Sequence, residues 1–310
     1  MNPTVSIIIP AYNEAERLPL CLQSIQDLDW PREQLEVIVV DNGSSDTTCE
    51  IARSFNAVLL QDDTRNVSGL RNLGACQARG EILAFVDADC MVSPNWLKCA
   101  FRYFEDPTAA AWGSAPEIPD NPTWVQAAWR LVRVPAEPVG TVDWLESMNL
   151  FVRKPLFELV GGFNESLETC EDVDFCFRIA DHGHIVSDRA IQVIHLGEAA
   201  SLKIFFKKEL WRGKSSFSGV FSHGLRIGEL PSLAVPIYFG VWVPVVLAWS
   251  LFQAGGTGLA AAIAVTIFPG AAVWYRYRNR PAGWKTKLQL LVLMYVYFLA
   301  RTLAVVKPGK

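Results

Sequence analysis

Through the first 115 or so residues, short apolar runs alternate with segments whose apolar residues recur at helical spacing. The runs from Val5 to Ile9, Leu35 to Val40, Ala57 to Leu60, Ile82 to Val86 and Ala109 to Trp112 read as strands. The first intervening helix is expected from about Glu14, with Leu18, Cys21, Leu22 and Ile25 on one face. A second is launched by Ser45 or Asp46 as N-cap, and a third covers Val67 to Ala78 and stops at Gly80. A fourth begins at Ser93-Pro94, with Ser capping and Pro in the first helical position. Strands that are apolar throughout must be covered on both faces, so the pattern predicts an α/β fold, a mainly parallel sheet flanked by helices. Ligands of such sheets bind outside the carboxyl ends of the strands, where polar motifs should therefore cluster.

The pattern changes near residue 230. From Leu230 to Val306 there is no acidic residue, and 233–252 and 258–274 are uncharged stretches separated by Ala254-Gly255-Gly256-Thr257. About 20 such residues cross a hydrocarbon core of about 30 Å as a helix. The segment Tyr275 to Lys287 carries Arg276, Arg278, Arg280, Lys285 and Lys287, and 288–306 is apolar again except for Arg301. By the positive-inside rule the basic loop is cytoplasmic, which makes the first two stretches an out-and-back hairpin and keeps the N-terminal region cytoplasmic. Arg301 is costly in hydrocarbon unless it reaches the interface or faces protein, so 288–306 either spans or lies in the interface. The expected organisation is a cytoplasmic domain over 1–228 and a membrane domain over 229–310, placed in the inner (plasma) membrane as a multi-pass protein.

Composition adds exclusions. A net charge of −4 over 310 residues lacks the basic excess of phosphate-backbone binders, so nucleic acid is not an expected partner. The seven cysteines match no zinc spacing and read as reduced thiols. The start, Met1 to Pro10, has no basic n-region and looks like a first strand rather than a signal peptide. Asn66-Val67-Ser68 and Asn164-Glu165-Ser166 match the glycosylation sequon, which is idle in a cytosolic domain.

Chemistry gathers at the strand ends. Pro10-Ala11-Tyr12-Asn13-Glu14 leads into a helix whose free amides suit an anion. Asp41 closes the second strand where a carboxylate can accept from a base or ribose, while Ser44, Ser45 and Asp46 read as turn and cap. Asp87-Ala88-Asp89 ends a wholly apolar strand; two carboxylates two residues apart in extended chain point the same way and call for a cation or hydroxyls, with Mg²⁺ or Mn²⁺ the matching hard ions. Glu171-Asp172-Val173-Asp174 exceeds what a helix start needs, and one of its carboxylates can serve as general base with a pKa raised by its acidic neighbours. His195 follows the strand-like run Ile191 to Ile194; alone it reads more readily as structural than as functional.

Together, Pro10 to Glu14, Val40-Asp41-Asn42-Gly43-Ser44-Ser45-Asp46-Thr47, Gly69 to Gly74, Asp87-Ala88-Asp89, Gly161-Gly162-Phe163-Asn164-Glu165, Glu171 to Asp174 and the late His195 resemble the inverting glycosyltransferases of family 2, which have the GT-A fold. The resemblance covers about residues 4 to 225. It implies that Pro10, Ala11, Tyr12 and Glu14 border a nucleotide, that Asp41 meets its base, and that Arg71 lies near the nucleotide or diphosphate. It implies further that Asp87 contacts the ribose or donor sugar, that Asp89 holds a Mg²⁺ or Mn²⁺ ion with help from His195, and that Asp172 is the general base. The implied activity moves one sugar from a nucleotide-diphosphate donor, UDP being the family's commonest, to a hydroxyl of a lipid-linked or cell-envelope glycan.

Two departures qualify it. Asn42 stands where the family usually has Asp, and the Gln-x-x-Arg-Trp signature of processive synthases is replaced by Lys208-Glu209-Leu210-Trp211-Arg212-Gly213, so one sugar per binding event is expected. Lys203, Lys207, Lys208, Arg212 and Lys214, mixed with Phe205, Phe206, Trp211 and Phe217, read as an interfacial helix within 201–228 that brings the active site near a lipid-linked acceptor. The alternatives are a polyprenyl-phosphate sugar synthase, a sugar-1-phosphate nucleotidyltransferase, whose Gly-rich basic loop is missing here, and a non-catalytic sugar-nucleotide-binding membrane scaffold.

Overall fold

A computed structural model describes residues 4–213, 230–253 and 256–306. The chain divides into two compact units, 1–119 with 134–197, and 120–133 with 198–310.

The first unit is built on an eight-stranded sheet. Its strands are β1 (Val5–Ala11), β2 (Leu35–Asp41), β3 (Val58–Gln61), β4 (Ile82–Val86), β6 (Ala109–Gly113), β7 (Val139–Thr141), β8 (Asn149–Arg153) and β9 (His184–Asp188), in the order β3-β2-β1-β4-β8-β6-β9-β7. Six strands run one way; β8, inserted between β4 and β6, and β7 at the edge run against them. The sheet is thus mainly parallel, and its helices are α1 (Leu18–Gln26), α2 (Thr48–Ser54), α3 (Val67–Gln77), α4 (Trp96–Phe101), α6 (Lys154–Leu159) and α7 (Glu171–Ile179).

Alternation along β1 explains the continuous apolar strands. Val5, Ile7 and Ile9 enter a core with Leu18, Leu22 and Trp96, whereas Ile8 enters the opposite core with Leu70, Phe85 and Phe175. Both faces are dry, so the polar residues of β1 and β2 are left to the strand ends.

Several expected boundaries shift. Helix α1 starts at Leu18, not Glu14: Glu14 to Arg17 form a turn, with Arg17 and Leu18 N–H both donating to the Glu14 carbonyl at 3.1 and 2.8 Å. Helix α2 starts at Thr48, and Asp46 serves it from two residues upstream by accepting the Thr48 N–H at 3.0 Å. Helix α4 starts at Trp96, after a turn that closes with Trp96 N–H on the Ser93 carbonyl at 2.9 Å. Helix α3 is capped by the Asn66 side chain, which accepts the Gly69 N–H at 3.0 Å.

A separate antiparallel pair joins β5 (Cys90–Val92) to β10 (Val193–His195). The register sets His195 opposite Cys90, which brings the histidine beside Asp89.

The second unit contains α5 (Trp124–Arg133), α8 (Leu202–Gly213), α9 (Leu230–Ile237), α10 (Val243–Phe252), α11 (Gly256–Tyr277) and α12 (Trp284–Val306); a π-helical turn, Tyr238–Trp242, links α9 to α10. Among the described residues three segments are long and apolar enough to cross a membrane: Ala234–Phe252, Gly256–Tyr277 and Trp284–Val305. They correspond to the expected 233–252, 258–274 and 288–306. Ala254 and Gly255 of the expected turn lie outside the described residues, as do Lys214 and Phe217 of the basic stretch.

Candidate active site

Three strand ends and two turns build the site. Ala11 pairs with Asp41, and the Asn42 N–H donates to the Ala11 carbonyl at 2.8 Å, so the ends of β1 and β2 lie side by side. The loops beyond them are stitched together. Asn13, in the left-handed conformation at φ 54°, accepts the Ser45 N–H at 2.9 Å, and its own N–H donates to Ser44 Oγ at 2.9 Å. Asp46 also accepts the Ala15 N–H at 3.2 Å. Ser44, Ser45 and Asp46 therefore fix the first loop as well as forming a turn. Pro10 and Ala11 are buried, whereas Tyr12 is 59% exposed at the mouth of this loop pair.

Asp41 is fully buried; one carboxylate oxygen accepts the Gly43 and Ser44 N–H groups at 3.1 and 3.0 Å. Gly43 has φ 71°, a conformation that suits glycine and lets the chain fold back over the carboxylate. Cys49 lies close by, and its thiol is pushed up to about 11 by burial, with hydrogen bonding to and charge on Asp41 adding to it.

Asp87 and Asp89 do not extend β4. The chain turns there, with Cys90 N–H on the Asp87 carbonyl at 3.0 Å, so the two carboxylates are answered separately instead of pointing together as extended chain would have them. Asp87 receives Arg71 at 2.8 Å. Asp89 Oδ2 lies 3.1 Å from His195 Nε2. Glu14 shares this space: its carboxyl is raised, by burial first and then by the charge of Asp89, against the pull of Arg17. Cys21 supports the turn from α1, its thiol 3.7 Å from the Asp87 carbonyl and raised by burial and by these carboxylates.

Arg71 has a side chain only 4% exposed, and its guanidinium spans Asp87 and Glu171, each at 2.8 Å. It binds the turn after β4 to the start of α7. The acidic group at that start is divided by partner. Glu171 takes Arg71, and Asp174 takes Arg178 at 2.8 Å. Asp172 accepts the Val173 N–H at 2.8 Å, and among the described residues it forms no ion pair. It keeps an accessible edge in densely packed surroundings, and its carboxyl is pushed up to about 7. Burial is the first cause, ahead of the charges of Glu171 and Glu146, so the acidic neighbours anticipated from sequence contribute second. Glu146, on the loop before β8, could not be anticipated from the sequence.

Gly197, which closes the run Val193-Ile194-His195-Leu196-Gly197, carries no sign in the sequence of the place it takes. A Cβ there would stand 1.8 Å from Asp89 Oδ2 and 3.0 Å from His195 Nε2. The glycine keeps the carboxylate and imidazole in their facing positions. Gly197→Ala is expected to leave the fold intact while lowering turnover about 10- to 100-fold, the usual cost of disturbing the groups that orient such a pair; circular dichroism and nucleotide release measured together check it.

The expected residues Pro10, Ala11, Tyr12, Glu14, Asp41, Arg71, Asp87, Asp89, Asp172 and His195 therefore lie on the loops at one end of the sheet or on the elements joined to them. Residues 6–162 match the family model for glycosyl transferase family 2, just over half of the chain. Glycosyltransferase AglE of Haloferax volcanii is 31% identical over 255 residues, covering 77% of this chain and 81% of that protein. The chain belongs to glycosyl transferase family 2. It is a glycosyltransferase with a GT-A-like fold. The pre-mycofactocin glycosyltransferase of Mycobacterium tuberculosis is 25% identical over 288 residues, 87% of this chain and 57% of its own length. Among solved structures, the mannosyltransferase PcManGT from Pyrobaculum calidifontis, in complex with GDP-Man and Mn²⁺, superposes with a TM-score of 0.70 at 21% identity, over 99% of this chain and 87% of that one. TarS 1–349 of S. aureus with UDP-GlcNAc gives 0.51 at 18% identity, over 98% and 91%.

Proposed function

We propose that this glycosyltransferase is an inverting, metal-dependent enzyme that moves a single sugar from a nucleotide-diphosphate donor, UDP-linked by first expectation, to a hydroxyl of a lipid-linked or cell-envelope glycan. The observation that carries the reading is Asp172, a carboxyl raised to about 7 at the site's edge while its acidic neighbours are taken by arginines. A base with that pKa is half ionised near neutrality and can still hold the proton it removes.

The roles proposed are those the family resemblance implies, and the positions of the residues support them. Asp41 and the loop from Pro10 to Glu14 hold the nucleotide, and Asp87, anchored by Arg71, meets the ribose or donor sugar. Asp89 and His195 fit a divalent cation: a carboxylate and an imidazole converge at 3.1 Å, the donor pair suits Mn²⁺ or Mg²⁺, and Gly197 leaves the approach clear. Among the described residues no group of three or more such side chains surrounds one point, so a cation held by Asp89 and His195 would need further oxygen ligands, which a bound diphosphate would supply. A cation held there supplies Lewis-acid stabilisation to the departing diphosphate. Asp172 takes the proton from the acceptor O–H as that oxygen bonds to the anomeric carbon. The bond from that carbon to the diphosphate oxygen breaks, and the nucleoside diphosphate leaves with its electron pair. Attack opposite the leaving group inverts the centre.

The three apolar helices support a membrane-anchored enzyme with its catalytic unit on the cytoplasmic side, acting on acceptors confined to that surface. The product tests the stereochemistry. With an α-linked donor and a membrane lipid extract as acceptor, the one-bond carbon–proton coupling at the anomeric centre of the recovered product is expected to report a β-linkage; an α-linkage would overturn the inverting mechanism.

A further inference from the structure

We infer that α12 does not span the bilayer although it is long and apolar enough to do so: it lies in the cytoplasmic interface, leaving a two-span hairpin with both flanks on the cytoplasmic side. The inference rests on the membrane-anchoring reading above.

Helix α12 is covered far more than the two candidate spans before it. Of its apolar window 39% is buried within the protein, against 6% for the Ala234–Phe252 span and 11% for Gly256–Tyr277. Much of the cover comes from α5 and α8, which lie outside every candidate span. Trp129 of α5 packs against Tyr297 with its ring tilted, centroids 5.8 Å apart, and sits edge-on against Phe205 of α8 at 4.9 Å. Further along, Glu209 of α8 binds Arg301 at 3.0 Å, and Gly213 approaches Ala304 so closely that a Cβ would stand 2.6 Å from its methyl. Helix α8 therefore runs beside α12 almost to its end. Over 12 residues α8 carries Lys203, Lys207, Lys208, Glu209 and Arg212, with Glu209 fully buried between Arg301 and Arg212. Were α12 a span, these charges would be carried through hydrocarbon to the far leaflet, each at several kcal/mol. In the interface Arg301 and its neighbours need not leave the aqueous side.

The direction of α12 also differs from that of a span. Tyr295 reaches α11 at Gly270, whose N–H donates to its hydroxyl at 3.2 Å, while Phe298 stacks on Phe239 at 5.1 Å and Thr302 lies against Gly240. Tyr295 thus meets both arms, lying edge-on to Phe239 at 6.4 Å as well, and the next turns of α12, at Phe298 and Thr302, lie against the first arm. Gly270 is seven residues from Tyr277 and Phe239 five from Ala234, so both contacts sit about 8–10 Å from the cytoplasmic ends. That is the depth at which an interfacial helix rests. A third span would follow α11 towards the hairpin tip, yet Leu251, Phe252 and Leu259 near that tip are 84%, 86% and 66% exposed.

The remaining face of α12 names its occupant. Trp284, Leu288, Val292 and Leu299 are exposed and share one apolar stripe, with Lys285 and Lys287 beside its start and Arg276, Arg278 and Arg280 just before it. An apolar stripe beginning among basic residues fits the acyl boundary and anionic headgroups of the cytoplasmic leaflet.

The test places one epitope in each of three full-length variants: after Lys310, between Gly256 and Thr257, and between Arg280 and Pro281. Antibody access is measured in inside-out and right-side-out vesicles. The Lys310 epitope is expected to be reached only in inside-out vesicles, like the Arg280 epitope, and the Thr257 epitope only in right-side-out ones. Pro308→Cys, labelled by an impermeant maleimide and compared with the unsubstituted protein, gives the same readout without a tag. Access to residue 310 or 308 from the right-side-out face shows that α12 spans and overturns the inference while leaving the anchoring reading intact. Access to the Thr257 epitope from the inside-out face overturns both.

Discussion

Asp172→Asn is expected to reduce sugar transfer about 10²- to 10⁴-fold, the range that a positioned proton acceptor contributes. Asparagine preserves shape and the Val173 N–H contact but cannot take the acceptor's proton. Nucleotide-sugar affinity, measured by calorimetry, is expected to stay within a few-fold, because Asp172 acts on the acceptor. The wild-type profile adds a second signature. With the carboxyl raised to about 7, kcat/KM falls tenfold per pH unit below that value and levels above it, and the variant loses this limb.

The same substitution has an opposite effect on stability, and its sign is fixed by linkage. A carboxyl near 3.9 unfolded and about 7 folded binds more protons in the folded state between those values. Its stabilising contribution is complete below about 3.9 and is lost as pH rises through about 7. Asp172→Asn removes the penalty of holding an ionised carboxylate in packed surroundings, so the variant is expected to melt higher than wild type above pH 7 and to show a flatter dependence of Tm on pH. A gain in stability with a loss of activity separates a working base from a structural carboxylate, whose removal would lower both.

Asp89→Ala should have an effect of similar size by another route. It takes away the carboxylate facing His195 and with it half of the protein's donor pair for a cation. Lewis-acid stabilisation of a leaving diphosphate is worth several kcal/mol, which is a hundredfold or more in rate. Unlike Asp172→Asn, this change is expected to weaken nucleotide-sugar binding in the presence of Mn²⁺ and to abolish the difference in affinity between Mn²⁺-containing and chelated buffer. If the affinity of Asp89→Ala still responds to Mn²⁺ as wild type does, the cation is held elsewhere.

The parts of this enzyme that could be read in advance are those written in contiguous residues. Val5 to Ile9 and Ile82 to Val86 are apolar on both faces, and only a covered strand accommodates that pattern. Strands β7, β8 and β9 escaped because they are short or lie among polar residues; Val139–Thr141 is exposed throughout, and nothing in three residues distinguishes an edge strand from a loop. Within the site, the residue types were legible and their pairings were not. Glu171 and Asp174 could have been exchanged for Asp172 on sequence alone; what separates them is Arg71, 100 positions away from Glu171, and Arg178 one turn along from Asp174. Asp87 and Asp89 invited a shared cation, and the turn between them gave each its own partner. The open question at 288–306 turned on Arg301, whose partner Glu209 lies 92 residues earlier.

The central claim is tested most directly by nucleotide release from the purified, detergent-solubilised protein, offered UDP-, GDP- and dTDP-sugars with Mn²⁺ or Mg²⁺ and a lipid acceptor extract, beside Asp89→Ala and Asp172→Asn. The account predicts turnover of one donor that requires the cation and is lost in both variants. Binding of donors without turnover, or turnover that survives either substitution, would contradict it.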